Sequence, residues 1–264
     1  MRKISVFLAL MALFFTDMAL AASQAVATSI TGAVQVQTGT ASPRPLRQGD
    51  EVAQGDTIIT GANSSAVLKF DDGQVAAMTQ NSRMQITAYQ YNPASESGNV
   101  LLSLVSGGMR AITGLIGRRS PNQVAYRAAT ATIGIRGTDV TMATADGQVV
   151  ATVSDGSITF TFQGATLTIS AGEAVLARPG QPLVRGPTAQ VVGQLPPAIR
   201  AFVNSVLALD SAIRASNPGV ARQGQQGDQG QQGQQGQQGQ QGQSGQQGGQ
   251  QGGGGGGGGN ASGG

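Results

Sequence analysis

The sequence predicts an all-β protein: a single jelly-roll or solenoid-like β domain with one C-terminal α-helix and a disordered Gly/Gln tail. Three observations carry that expectation. Apolar and polar residues alternate with period two in short runs through the first two thirds of the chain, the mark of half-buried strands. Asp-Gly pairs punctuate those runs at Asp72-Gly73, Asp146-Gly147 and Asp155-Gly156, where Gly tolerates the positive φ of tight hairpins. From residue 194 the apolar period becomes helical, and after residue 216 apolar side chains almost vanish.

In chain order, Met1-Arg2-Lys3 is a short basic start, residues 4–15 are largely apolar, and Ala19-Leu20-Ala21 follows. That is the pattern of a Sec-type signal peptide over residues 1–21, cut after Ala21. The apolar run is shorter than the roughly 20 residues a membrane span needs, so a periplasmic or secreted protein with no transmembrane segment in the mature chain is expected. Residues 22–190 read as the β domain. Val34 and Val36 share one strand face, as do Ala66, Leu68 and Phe70, then Met84 and Ile86, Phe160 and Phe162, and Leu167 and Ile169. Such a body can bury one core without disulfide staples.

Residues 194–216 read as an amphipathic helix. Pro196 and Pro197 suit its first turn, Ile199, Phe202, Val203, Val206, Leu209 and Ile213 recur at helical spacing, and Asn217-Pro218-Gly219 stops it. Its single Phe and sparse charge point to packing on the β domain rather than to a membrane surface. Residues 217–264 carry Gly at every third position from Gly224 to Gly248. A collagen helix shares that period but needs Pro between the glycines. Gln fills those places here, so a polar, disordered tail is expected.

Composition removes most chemistry. The chain has no Cys and no His. Catalytic triads, imidazole acid–base catalysis and nearly all zinc, copper and haem sites go with them. The formal charge is +3. Taking Arg2, Lys3 and Asp17 away with the leader leaves 14 basic and 12 acidic residues, or +2, too little to draw nucleic acid. With no Trp and three Tyr, stacking platforms for bases or sugars are scarce. No cofactor, metal or catalytic residue is expected, and the chain reads as no enzyme.

The motifs inside the body are "GAVQVQ" (Gly32–Gln37), "PLRQGDEVAQGDTIITGANSSAVLKFDDGQVAAM" (Pro45–Met78), "NSRMQI" (Asn81–Ile86), "LSLVSGGMR" (Leu102–Arg110), "ATIGIRGTDV" (Ala131–Val140), "VSDGSITF" (Val153–Phe160) and "SAGEAV" (Ser170–Val175). In this order they resemble the FecR-like extracytoplasmic domain family, from about Ile30 to Leu176. The resemblance implies an all-β domain outside the cytoplasm with no known catalysis. It marks Gly49, Asp50, Gly55, Asp56, Gly73, Gly134, Arg136, Gly137, Thr138, Asp139, Gly156, Gly172 and Glu173 as family positions with a structural role. Regulators of that family join the domain to a membrane span and a cytoplasmic anti-sigma segment. Here a leader stands in that place, so their transmembrane signalling is not expected to carry over.

Arg136 has two readings. It is an anion clamp, or it braces a β corner by donating to backbone carbonyls, with Asp139 as charge partner. A lone Arg between Gly134 and Gly137 favours the brace. The acidic pairs around Asp50, Asp56 and Asp71-Asp72 fit no calcium-loop spacing, and Asp beside Gly suits turns. "GLIGRRS" (Gly114–Ser120) lacks the Lys that follows a phosphate loop's last Gly. The expected function is therefore an exported binding or regulatory module that contacts a protein, an envelope polymer or a small ligand. The alternative is a structural or matrix protein self-associating through its tail.

Overall fold

A computed structural model describes residues 24–216. The leader and the Gly/Gln tail lie outside the described residues. Fifteen strands make one continuous hydrogen-bonded sheet: β1 (Gln24–Thr31), β2 (Val34–Thr38), β3 (Arg44–Pro45), β4 (Glu51–Ala53), β5 (Asp56–Thr60), β6 (Ser65–Phe70), β7 (Val75–Met78), β8 (Arg83–Asn92), β9 (Ser97–Ile112), β10 (Val124–Ala128), β11 (Ala131–Ala145), β12 (Gln148–Phe162), β13 (Ala165–Ser170), β14 (Glu173–Ala177) and β15 (Val184–Pro187). A short helix α1 (Leu115–Arg119) joins β9 to β10. Helices α2 (Thr188–Gly193), α3 (Pro197–Leu207) and α4 (Asp210–Ser216) follow the last strand.

The sheet has two wings. One runs β13-β12-β11-β10-β9-β8-β5-β2-β3. The other runs β15-β14-β12-β11-β9-β7-β6-β1-β4. Among the described strands only β9 and β10 pair in parallel; the other pairs are antiparallel. Strands β9, β11 and β12 belong to both wings, and each changes wing at an irregularity. In β11 and β12 the register breaks between Arg136 and Val140, where Gly137 and Gly156 have φ of +58° and +73°. In β9 it breaks at Val105, just before Gly107 at φ +90°.

An extra residue reverses which face a strand presents. Accordingly Ile133 and Ile135 point into the core before the break in β11, and Val140 and Met142 after it. Leu102 and Leu104 do so in β9, then Met109 and Ala111. Val105, the unpaired residue of the β9 bulge, is left 56% exposed. Strands that pass between sheets through bulges make the corners of packed sheets. Facing side chains of both wings then meet in one core that includes Phe70, Met78, Met84, Leu102, Tyr126, Met142 and Phe160.

The Asp155-Gly156 pair is therefore no hairpin turn, as the sequence had suggested, but a kink inside β12. Gly with positive φ serves turn and bulge alike. Besides Ala129-Thr130 between β10 and β11, two-residue hairpins form at Asp146-Gly147, with φ of +51° and +74°, and Gln163-Gly164, with φ of +48° and +83°. Positive φ at both positions of these last two matches a type I′ turn.

The helices form a third layer on the outside of the second wing. Val191, Leu195, Ile199 and Val203 pack on Ala143, Val150, Ala174 and Leu176. Ile213 packs on Val67, Val75, Ala77 and Ile112. This cover explains why β7 is buried along its whole length. The helix expected over 194–216 is broken: α3 ends at Leu207 and α4 begins at Asp210 after a turn. The break lets Asp210 open α4 while turning toward the sheet, where it meets Arg110.

Candidate functional site

The corner in β11 and β12 is built around an ion pair the sequence did not single out. Arg110 on β9 holds Asp139 through two bonds, Nε to Oδ1 at 2.8 Å and Nη2 to Oδ2 at 2.6 Å. Its remaining terminal nitrogen, Nη1, reaches Asp210 Oδ1 at 3.0 Å. Both side chains of the first pair are largely buried, at 10% and 15% exposure. The paired fork adds fixed geometry to charge. Asp139 raises the Arg110 pKa most, by accepting its hydrogen bonds, against a smaller pull from burial.

The expected pairing of Arg136 with Asp139 is thus corrected. Arg136 sits exposed on β11 and makes no side-chain hydrogen bond among the described residues. Three positions apart on one strand, Arg136 and Asp139 are separated by the bulge, which turns Asp139 toward β9. Arg110 was legible only as the lone charged residue in a strand of sixteen.

Most of the other positions marked by the resemblance lie at turns and corners. Asp50 accepts from the Arg47 amide at 3.0 Å and pairs with Arg44 at 3.3 Å. Asp56 accepts from the Ala53 amide at 3.0 Å and the Thr38 hydroxyl at 2.5 Å. Gly49, Gly55, Gly73 and Gly172 have positive φ. Thr138 accepts from the Thr113 hydroxyl through its carbonyl at 2.9 Å and donates its amide back at 3.0 Å. Glu173 accepts from the Ser170 amide at 2.8 Å and from Arg185, which hold its carboxyl below the usual range. Gly134 has ordinary φ and ample room near Thr159.

Asp72, weighed in the sequence beside Asp71 as a calcium ligand, is 1% exposed and points inward. Its Oδ1 accepts from the Gln74 amide at 3.1 Å and Tyr89 Oη at 3.4 Å, and its Oδ2 from the Ile116 amide at 3.4 Å. Burial pushes its carboxyl above the usual range, and these bonds pull it back. Burial likewise pushes the Tyr89 and Tyr126 hydroxyls up. Gly114 closes on this carboxylate so tightly that a Cβ would collide with it, so the Gly of "GLIGRRS" serves packing. Among the described residues no group of three acidic side chains is gathered to hold a metal ion.

Among the described residues, two polar surfaces of the first wing and its corner are open to contacts. The outer face of the first wing carries one in-register row across eight strands: Gln37, Thr57, Gln85, Ser103, Arg127, Thr132, Thr161 and Thr166. Each is exposed or half-buried, and hydroxyls link neighbours, with Thr161 and Thr166 3.0 Å apart. Beside the β11–β12 corner lies a recess of about 520 Å³ lined by Arg118, Pro121, Asn122, Arg136 and Gly137.

Residues 56–159 match the family model described as FecR protein, from the first residue of β5 into β12. No curated protein matches the chain in sequence. Two crystal structures described provisionally as an anti-sigma factor from Parabacteroides distasonis, at 2.50 and 1.65 Å, are similar to it at a TM-score of 0.42 and 12% identity each. The overlaps cover 50% and 52% of this chain, and 59% and 65% of theirs, less than two thirds of those chains' length.

Proposed function

We propose that this chain, which carries a FecR domain over residues 56–159, works outside the cytoplasm of a bacterium as a non-enzymatic binding or regulatory module. The observation that carries this reading is the asymmetry of the two wings. Helices seal the outer face of the second wing. The first wing offers a broad polar face, and most of the positions marked by the resemblance, Gly134 and Arg136 apart, serve turns and corners. A surface of hydroxyls and amides makes many weak, directional contacts and assembles no nucleophile with a base. Export follows from the basic, apolar and small-residue pattern of residues 1–21. No helix among the described residues is long and apolar enough to cross a membrane.

A second reading rests on the Gln richness of the segment beyond residue 216, whose side-chain amides can bond to one another and suit a matrix protein that self-associates. Fractionating producing cells separates the two, using the full chain and a chain ended after Ser216. The module reading expects both forms in the soluble periplasmic fraction. Cytoplasmic full-length protein overturns it. Insolubility that disappears with the tail replaces it by the matrix reading.

A further inference from the structure

The recess beside the corner holds two arginines with no acidic partner. Arg136 makes no side-chain hydrogen bond among the described residues. Arg118 donates only its Nε, to the Gly114 carbonyl at 3.3 Å. That bond fixes the base of the fork and leaves both terminal nitrogens unspent. Two carboxylates of the neighbouring elements are already engaged, Asp139 by Arg110 and Glu96 by Arg119, and Asp155, across the corner from Asp139, forms no ion pair with either arginine among the described residues. Two guanidinium groups lining one concavity repel each other, and an anion between them relieves that repulsion. The planar fork matches the paired oxygens of a carboxylate or phosphate.

The rest of the lining says more. Asn122 brings a donor and an acceptor, as hydroxyl groups require, and Pro121 adds an apolar wall. About 520 Å³ is far more than a bare ion fills and lies within the range of small-ligand clefts. From Arg136 the register continues outward through Ser157 and Ser170 on the open face, a lane of hydroxyls leading away from the charge. We infer that this recess binds an acidic saccharide unit: a hydroxyl-rich ring bearing a carboxylate or phosphate, with Arg118 and Arg136 on the oxyanion, Asn122 on the ring hydroxyls, and the serines along the next unit. The inference rests on the binding-module reading only for its premise that contacts are the function. Fractionation can fail while the recess binds, and the recess can stay empty while fractionation succeeds.

The test is a titration of the full-length protein at low ionic strength, followed by calorimetry or amide shifts, with four probes: an oligogalacturonate, glucose 6-phosphate, a neutral oligosaccharide and inorganic phosphate. One of the two acidic sugars saturates the protein, and which one identifies the oxyanion. The neutral sugar does not, and inorganic phosphate is weaker by about tenfold. R118A and R136A each weaken the acidic sugar by about tenfold or more and leave the melting temperature unchanged, because neither exposed side chain supports the core. Raising salt to about 0.3 M weakens binding, since both charges face solvent. Failure of both acidic sugars to saturate, equal binding of the neutral one, equal binding of phosphate alone, or variants that bind like the parent each overturn the inference.

Discussion

Arg110 and Arg136 divide the work that the sequence had assigned to one arginine. Removing Arg110 leaves the Asp139 carboxylate in a largely buried site with no counter-charge, and such losses are expensive. We expect Arg110→Ala to lower stability by about 2–4 kcal/mol in urea unfolding, and Arg136→Ala to stay within about 0.5 kcal/mol of the parent. Equal losses in the two variants would return Arg136 to the brace. Asp139 lies three positions from Arg136 and 29 from Arg110, and only the bulge decides which it faces. Chain proximity could not reveal that. Glycines divide in the same way. Gly156 has φ +73° and its missing Cβ would collide with the Gly137 carbonyl, whereas Gly134 has ordinary φ and its nearest neighbour is 3.9 Å away. Gly156→Ala is therefore expected to cost more than about 3 kcal/mol, and Gly134→Ala less than about 0.5. Thermal melts of the two variants check the contrast, and a stable Gly156→Ala protein would remove the corner from β12.

Among the elements, the strands were the most legible. Val34 with Val36, Met84 with Ile86, and Phe160 with Phe162 are buried as alternation predicts. In β6 Ala66, Leu68 and Phe70 are buried, but so is Val67, because the helical layer covers the strand's other face. A period-two reading sees one buried face and cannot see a second layer. Helical spacing over 194–216 identifies the right apolar residues, with Ile199, Val203, Val206 and Ile213 buried, and does not show the turn before Asp210. That turn has a consequence in acid. Asp210 accepts from Arg214 at 2.5 Å and from Arg110 at 3.0 Å, and the Arg214 bond does most to hold its pKa below 3.8. A lowered folded pKa means stability fully present above 3.8 and lost as pH falls through the lower folded value. Helix α4 should therefore lose amide protection below about pH 4 before the strands do, and Asp210→Asn should abolish that early step. Hydrogen exchange across an acid series reads it directly; protection of α4 that falls only together with the strands would show that the ion pair does not secure the helix.

For the molecule as a whole, β9, β11 and β12 run through both wings, so neither wing can open and leave the other intact. We expect one cooperative urea transition, with the amides of Leu102 and Leu104 in one wing protected as strongly as those of Met109 and Ala111 in the other. Two separated transitions would mean that the bulges act as breaks rather than bends. Strand β9 carries this further. It shows Ser103 on the open face and, seven residues on and at most about 24 Å away, grips Asp139 and Asp210 with Arg110. A pull applied at the open face is thus borne by covalent backbone, like a strap threaded through two plates, and reaches the helical side without crossing any seam that could slip.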